Sequence, residues 1–592
     1  MPKRDHLFLN YAECFRILPQ KQRIQTGLIA ILMSMISLLD LVGVLCLGAA
    51  ATLAINSKSS GKVENLDLMF YTIESLSVSA RILYLGSIAI ILLTLRSILS
   101  VYLSKRVLFF FARESNTIAT RLINNLFNLQ LLDLRESSSQ QISFAITRGV
   151  DFITIYILAT SLMLLTDVSV LLVLFIGLLS VSASLSLISF VVFSITSYIL
   201  YKIMSQKVSK LGRELTDLNI KNNHNVSESL ALYRELIVRN LKKNYAKKIS
   251  VTQNTAAKKM AELTFMPYFS KYIIEMLMVT MTVFLCAYQY LNSGIEKSAF
   301  VLVVFMAASS RIIPSVLRIQ QGALSIQTAL GQAESTLKLI KKSETSNATL
   351  PQNQSSGQDQ SLSRFVPSIS LIDVNFNYGL DSSFEIKDLS LQINPNTHTA
   401  IMGASGSGKS TLIDLLLGIH SPTIGTVKIS NFSPNEVYSI WPDSVGYVPQ
   451  QVGFIIGSLR ENISLVSEIS TAADHRIYSI LEKVGLMEFV LSLGEGLDTN
   501  VGEFAAGLSG GQAQRVGIAR ALFTNPSILI LDEATNALDS GSEELILDLL
   551  LNQIVGLTTI WVTHKESIAR MCDRTFAMEK GVLTPLKFEG KF

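Results

Sequence analysis

The chain has 592 residues, of which 49% are hydrophobic and only 16% charged, and its mean hydropathy is +0.40. Soluble domains carry about 25% charged residues, so this composition excludes a string of ordinary water-exposed globules, and intrinsic disorder as the dominant state falls with it. A collagen-like or disulfide-stapled chain is excluded by 33 glycines without a repeat and by four scattered cysteines, Cys14, Cys46, Cys286 and Cys572.

Residues 1–25 are basic, with Lys3, Arg4, Arg16, Lys21 and Arg23 against Asp5 and Glu13. The apolar run that follows is too long for a signal-peptide core and has no clear cleavage site, so it reads as a retained anchor. Crossing about 30 Å of hydrocarbon takes about 20 helical residues. Six stretches qualify: 26–55, 82–104, 155–178, 181–201, 271–292 and 298–317. The third and fourth are separated only weakly, around Leu179–Ser184, and count as two because one helix through both would overshoot a bilayer.

Charge then sets the topology. The segment from Lys202 to Glu262 holds Lys207, Lys210, Arg213, Lys221, Arg234, Arg239, Lys242, Lys243, Lys247, Lys248, Lys258 and Lys259, which places it in the cytoplasm by the positive-inside rule. The loop from Lys105 to Asp151 goes with it, so both termini are expected to be cytoplasmic. Positive-inside bias accounts for these basic loops without a nucleic-acid partner. Thr117–Leu132 and Val208–Gln253 predict spans that continue into the cytoplasm as long helices. The first external loop, Asn56–Ala80, carries Leu66, Leu68, Met69, Phe70, Ile73 and Leu76; a short amphipathic helix on the outer membrane surface and a loop packed on the bundle are equally compatible with it.

Residues 341–364 are rich in Ser, Gln and Asn and read as a polar linker. Residues 365–592 alternate short apolar strands with helical segments, as an α/β domain does. The expected architecture is therefore a multidomain membrane protein, with a six-helix all-α transmembrane domain over 26–340 followed by an α/β P-loop domain.

Gly403-Ala404-Ser405-Gly406-Ser407-Gly408-Lys409-Ser410 fits G-x-x-x-x-G-K-[ST], between the apolar strand Thr399–Met402 and a helical Thr411–Leu417. In that context the glycines let backbone N–H groups wrap phosphates, Lys409 reaches the β and γ phosphates, and Ser410 ligates magnesium. The run Ile528-Leu529-Ile530-Leu531-Asp532-Glu533 reads as a buried parallel strand ending in two carboxylates. Asp532 is placed to support magnesium and Glu533 to act as general base on water.

Between these motifs lies Leu508-Ser509-Gly510-Gly511-Gln512, which resembles the signature of ATP-binding cassette proteins. The resemblance extends along the chain. Tyr378 is similar to the aromatic that stacks on adenine, Gln450 in Tyr447-Val448-Pro449-Gln450 to the glutamine joining magnesium to the membrane domain, Asp539 in Ala537-Leu538-Asp539 to the D-loop, and His564 to the switch histidine at the γ-phosphate. The family closes two cassettes head to tail, so the resemblance implies that Ser509 and Gly511 of one chain complete the ATP site built on Lys409 of another. It thus implies ATP, Mg2+ and a second half-transporter, with the intact Glu533 favouring a homodimer. Membrane domain first and cassette second resembles the half-transporter exporters, with Leu131–Asp151 and Leu230–Tyr245 as the transverse helices that dock on cassettes. Import is the minor alternative, and 25 residues ahead of the first span leave no room for a leader peptidase.

Intramembrane charges are costly and tend to be functional. The spans hold Asp40, Arg96, Asp167, Lys271, Glu275 and Arg311. Mutual pairing is the structural reading for Asp40 and Asp167, and Lys271 and Glu275 are spaced to pair on one helix face. Arg96, near mid-span, is the hardest to dismiss. Arg311-Ile312-Ile313-Pro314-Ser315, together with Arg96 and Lys271, resembles bacterial flippases of lipid-linked oligosaccharides. That resemblance implies a polyprenyl-pyrophosphate cargo held by these three cations, and a bacterial inner membrane. Export of general lipids or hydrophobic drugs is the alternative, and a non-transporting ATP-gated channel or regulator is the alternative of another class.

Overall fold

Apolar runs of twenty residues and more leave the backbone no choice but to satisfy its own hydrogen bonds, and the N-terminal part of the chain is accordingly helical. The computed structural model describes residues 11–55, 77–127, 138–181, 183–349, 365–378, 384–466, 471–502 and 507–588, and among them the side chains of 51–52, 54–55, 180–181, 285–286, 289–311, 345–349 and 471–472 are not described. The chain divides into a helical unit and an α/β unit between Gln352 and Asn353.

In the helical unit, α1 is Gln20–Ile55, α2 Val78–Phe127, α3 Ser139–Phe144, α4 Thr160–Val181, α5 Ala183–Ala231, α6 Tyr233–Val238 and α7 Lys242–Thr349. Between α3 and α4 the helix widens into two π-helical stretches, Ala145–Gly149 and Phe152–Ala159. Among the described residues four segments are long and apolar enough to cross a membrane: Gln20–Ala50, Val78–Phe127, Ser139–Leu179 and Ala183–Ala231. The weak break near Leu179–Ser184 is real. Phe175 and Phe190 stack with ring centroids 4.3 Å apart, although 15 residues of straight helix would part them by roughly 22 Å, so α4 and α5 are antiparallel neighbours.

The same reasoning applies to α7. It is helical throughout, yet Gln320 Nε2 donates to Ser270 Oγ at 3.5 Å, and a straight rod would separate these residues by roughly 75 Å. The chain therefore doubles back between them, and Ile274 and Met278 of the first arm share a core with Val316 of the second. Of the two long helices expected beyond the spans, α2 runs on to Phe127, whereas the one expected over Val208–Gln253 is interrupted at Leu232 and again over 239–241. α5 runs on to Ala231 and pairs with the first arm of α7 through Lys259–Glu214, Lys207–Glu262 and Lys248–Glu228 ion pairs. The two segments expected to hold transverse helices each contain one six-residue helix, α3 and α6. α3 is started by a capping box in which Ser138 and Gln141 satisfy each other's backbone N–H groups.

One boundary needs correction. The polar segment expected to begin at 341 is helical as far as Thr349, and its first turn still packs on the unit: Ile340 and Ser343 are buried and Lys341 pairs with Glu13 at 3.4 Å. Residues 350–364 and the first external loop at 56–76 lie outside the described residues.

The α/β unit has two sheets. Strands β1 (Ile369–Asn377), β2 (Glu385–Ile393) and β4 (Ile424–Ile429) form an antiparallel sheet in the order β2-β1-β4. The second sheet contains β3 (His398–Met402), β5 (Val445–Val448), β6 (Ile528–Asp532), β7 (Thr558–Val562), β8 (Arg574–Glu579) and β9 (Val582–Leu586), in the order β5-β6-β7-β3-β8-β9. It is parallel except for the β8–β9 pair. β7 is buried at every residue and β6 at all but Asp532, as expected of central strands covered on both faces. The carboxyl ends of β3, β5, β6 and β7 thus share one edge, where the site is built.

Candidate active site: the phosphate loop and Glu533

After β3 the chain turns through Gly403–Gly408 into α8, Lys409–Leu416. Gly408 and Gly403 in this loop both demand glycine. Gly408 has φ +113°, and a Cβ there would lie 2.6 Å from Phe384 Cζ; at Gly403 a Cβ would lie 2.4 Å from the Met578 carbonyl oxygen. The loop wraps back so that the buried Lys409 donates through Nζ to the carbonyls of Gly403 (2.7 Å) and Ala404 (3.0 Å). Ser407 Oγ is buried and has no hydrogen-bond partner among the described residues, while Ser405, Gly406 and Ser410 are exposed. Exposed backbone at a helix N-terminus, an ammonium group and an unsatisfied hydroxyl suit a polyphosphate.

Two carboxylates face that loop across the sheet edge. Burial, and then the charge of Glu533, pushes Asp532 above the usual carboxylate range, with Lys409 opposing. Burial pulls Lys409 below the usual ammonium range, against the charges of Glu533 and Asp532. Glu533 sits just past β6 with φ +48°, a left-handed conformation costly for a residue with a Cβ, held by its N–H donating to the Val562 carbonyl at 2.9 Å. This turn aims the carboxylate along the sheet edge, where three side chains meet it. Gln450 Nε2 and Asn536 Nδ2 donate to Oε2, each at 2.8 Å, and His564 Nε2 lies 2.6 Å from Oε1. Gln514 Nε2 donates to the Glu533 carbonyl at 3.2 Å and its Oε1 accepts from the Ala537 N–H at 2.8 Å.

The expected residues after β5, β6 and β7 are thus brought together around one carboxylate. Asn536 and Gln514 were not anticipated. The three-residue step from Glu533 to Asn536 was the available signal. Magnesium has suitable oxygen donors here: Ser410 hydroxyl, the Asp532 carboxylate and the Gln450 amide oxygen, whose nitrogen is already turned to Glu533. Mg2+ is usually held by such a short set plus substrate phosphates. Tyr378, half-buried, gives its hydroxyl to a hydrogen bond with Thr411 Oγ1 at 2.8 Å, and its ring meets that of His420 edge-on at 5.7 Å.

The signature run lies elsewhere on the unit. Ser509 caps α9, Gly510–Phe523, accepting from the Gln512 N–H, while its own N–H donates to Gln512 Oε1 at 2.8 Å. Leu508 packs on the core, and Gly511 lies against the Ala537 carbonyl, where a Cβ would come to 3.1 Å. Among the described residues no hydrogen bond joins 508–512 to the phosphate loop. Asp539 caps α10, Ser540–Asp548, by accepting from Ser542.

In the helical unit, two of the expected cargo-binding cations prove to be paired. Arg96 Nε lies 2.7 Å from Oδ2 of the fully buried Asp40, so Arg96 is the counter-ion of an intramembrane carboxylate rather than a cation left over for cargo. Lys271 sits 3.7 Å from Glu275, as its spacing predicts. Asp167 is paired too, with Arg318, a residue just beyond the expected sixth span. The side chain of Arg311 lies outside the described residues.

Residues 386–536 match the family profile described as ABC transporter. A multidrug resistance ABC transporter ATP-binding and permease protein of Lactococcus lactis is 36% identical over 229 residues, covering 38% of this chain and 38% of that protein. A sophorolipid transporter of Starmerella bombicola is 31% identical over 302 residues, covering 49% of this chain and 22% of that protein. The chain therefore matches well under two thirds of these relatives' length. The solved structure of a bacterial Atm1-family ABC exporter with ATP bound superposes with a TM-score of 0.72 at 20% identity over 95% of both chains. The stretch 386–536 matches the ABC transporter family model, and the chain as a whole shares the fold of that solved exporter.

Proposed function

We propose that this chain is one half of an ATP-hydrolysing exporter that moves a lipid-type or other amphiphilic molecule across a membrane. The observation that carries the reading is the grip on Glu533: a carboxylate held at 2.6–2.8 Å by His564, Gln450 and Asn536 on the sheet edge that also presents Lys409 and Asp532, in a chain that begins with membrane-length helices. Glu533 takes the proton of the attacking water, and His564 and Gln450 fix the carboxylate's orientation. Lys409 and the loop N–H groups hold the phosphates, and magnesium, when bound, neutralises charge between them.

The finer features follow from the same reading. The reversal in α7 supplies the fifth and sixth spans, giving six with both termini cytoplasmic. The signature run, unconnected to its own phosphate loop, is completed by a second copy in a homodimer. A polyprenyl-pyrophosphate glycan loses ground as cargo because Arg96 is spent on Asp40 and Lys271 on Glu275. A lipid or drug-like amphiphile is favoured, in line with the sophorolipid and multidrug relatives. The test is reconstitution in vesicles with fluorescent lipids, a hydrophobic dye and a polyprenyl-pyrophosphate glycan. ATP-dependent, vectorial movement of an amphiphile that stops in Glu533→Gln is expected. ATP hydrolysis with ion conductance and no movement would overturn it in favour of a channel.

A further inference from the structure

Tyr378 follows β1 of the three-stranded sheet, whereas the phosphate loop follows β3 of the six-stranded one. A base contact and a phosphate contact from different sheets serve one nucleotide only if something fixes their spacing. Two links cross between them. The Tyr378 hydroxyl hydrogen-bonds Thr411 Oγ1, on the first turn of α8, at 2.8 Å. The second link is a ring stack. Phe376 of β1 lies against the imidazole of His420, with centroids 5.2 Å apart and planes inclined by 14°.

Tyr378 stands upright against this pair, at 83° and 5.0 Å to Phe376 and at 90° and 5.7 Å to His420, the edge-to-face geometry that aromatic rings favour. His420 belongs to the phosphate-loop side of the cluster. It lies just beyond the end of α8, its N–H donates to the Asp414 carbonyl at 3.2 Å, and its Nε2 lies 3.6 Å from Asp414 Oδ2. Its side chain is 0% exposed. A polar ring taken wholly out of water costs free energy unless it faces a partner, and here Asp414 is that partner. Packing alone would be met by an aliphatic side chain, as it is by Leu412, Leu415 and Leu416 along α8.

We propose that His420 is a positioning residue for ATP binding, which with Phe376 holds the ring of Tyr378 upright beside the phosphate loop, in place for the base. The inference rests on Tyr378 being the base contact, as the family resemblance implies, and is independent of what is transported. His420 touches no nucleotide itself. It acts through Tyr378, so its effect falls on nucleotide affinity and leaves hydrolysis at Glu533 unaltered.

The experiment measures ATP turnover by the full chain in lipid nanodiscs across ATP concentrations. His420→Gln removes the ring and keeps a donor for Asp414. It is expected to raise KM for ATP about fivefold, the scale of a base stacked on an aromatic ring, with kcat within about twofold of wild type, the pattern of lost uniform binding. His420→Phe restores a flat ring and is expected to return KM to within about twofold of wild type. Tyr378→Ala is expected to raise KM about tenfold, and His420→Gln added to it to change nothing further, as for residues that act through one another. An unchanged KM in His420→Gln beside a raised one in Tyr378→Ala overturns the positioning role alone. An unchanged KM in Tyr378→Ala overturns the base contact and the proposal with it. A loss confined to kcat, additive effects in the double variant, or a His420→Phe protein no better than His420→Gln also overturns the proposal. Should His420→Gln fail to fold, Phe376→Leu, which removes the ring stacked on His420, is read in its place, and a wild-type KM there refutes the positioning role. Turnover is read without transport, so none of these outcomes bears on the exporter reading.

Discussion

His564 Nε2 lies 2.6 Å from Glu533 Oε1, although the two residues come from different strand ends of the central sheet. The contact joins the expected general base to the residue at the end of β7. With Gln450 and Asn536 on the other oxygen it leaves Glu533 little rotational freedom. Fixing a base before the substrate arrives lowers the reorganisation that proton transfer requires.

Glu533→Gln is expected to keep this shape, lose the base and cut ATP turnover about 100-fold or more, while ATP binding persists. Turnover and retained nucleotide, measured on the same reconstituted protein, check it. Normal turnover would remove Glu533 from its assigned role.

Gly408→Ala tests the loop. At φ +113°, and with Phe384 Cζ 2.6 Å from the added carbon, the substitution is expected to cost at least about 2 kcal/mol of stability. Both tryptophans of the chain, Trp441 and Trp561, lie in the α/β unit, so their fluorescence reports its unfolding in the intact protein. Gly453→Ala, with nothing within 4 Å of its added carbon, is the control and is expected to change stability by less than about 0.5 kcal/mol. Equal effects at the two glycines would show that the loop is not strained in the way described.

Local motifs and distant partnerships differed in how readable they were. Gly403–Ser410 and Ile528–Glu533 were legible because a strand, a turn and a charged end lie within ten residues of one another. The grip on Glu533 was legible only in part. Gln450 stands 83 positions away and, like His564, was indicated by resemblance alone, while Asn536 and Gln514 are ordinary polar residues whose role exists only once β5, β6 and α9 are assembled. In the helical unit, periodicity and hydropathy located the long helices and the tight α4–α5 reversal. They could not choose ion-pair partners, because Arg96 finds Asp40 through the packing of α1 on α2 and Arg318 finds Asp167 from beyond the apolar run. The helical start of the linker was hidden because its polar composition outweighed the single buried stripe at Ile340 and Ser343.

Asp532 gives a pH signature. Its folded pKa is raised, chiefly by burial, so the neutral form is favoured in the fold, and the associated stability is present below the unfolded value of about 4 and lost as pH rises through the folded one. Without nucleotide at neutral pH, Asp532→Asn is therefore expected to unfold at a higher temperature than wild type, with the gap closing as the pH approaches 4. Adding ATP and magnesium should reverse the order by stabilising only wild type strongly. Tryptophan-detected melting across pH checks this. A variant less stable than wild type at neutral pH without nucleotide would contradict the burial argument.

The Asp40–Arg96 pair offers the sharpest separation of structure from cargo binding. Asp40 is fully buried and its counter-ion lies 2.7 Å away, so Arg96→Ala removes the guanidinium that compensates a carboxylate in a low-dielectric interior. Breaking a buried pair by removing one partner costs about 3–5 kcal/mol, whereas replacing both is often close to neutral. Arg96→Ala is accordingly expected to destabilise the helical unit strongly, and Asp40→Ala with Arg96→Ala to recover most of the loss. The double variant should retain amphiphile-stimulated ATP hydrolysis, since in this account neither residue touches cargo. Thermal unfolding of the four proteins of the cycle gives the coupling, and stimulated turnover gives the functional arm. If Arg96→Ala were as stable as wild type and lost stimulation, and the double variant failed to regain it, Arg96 would be a cargo contact after all, and its closeness to Asp40 incidental.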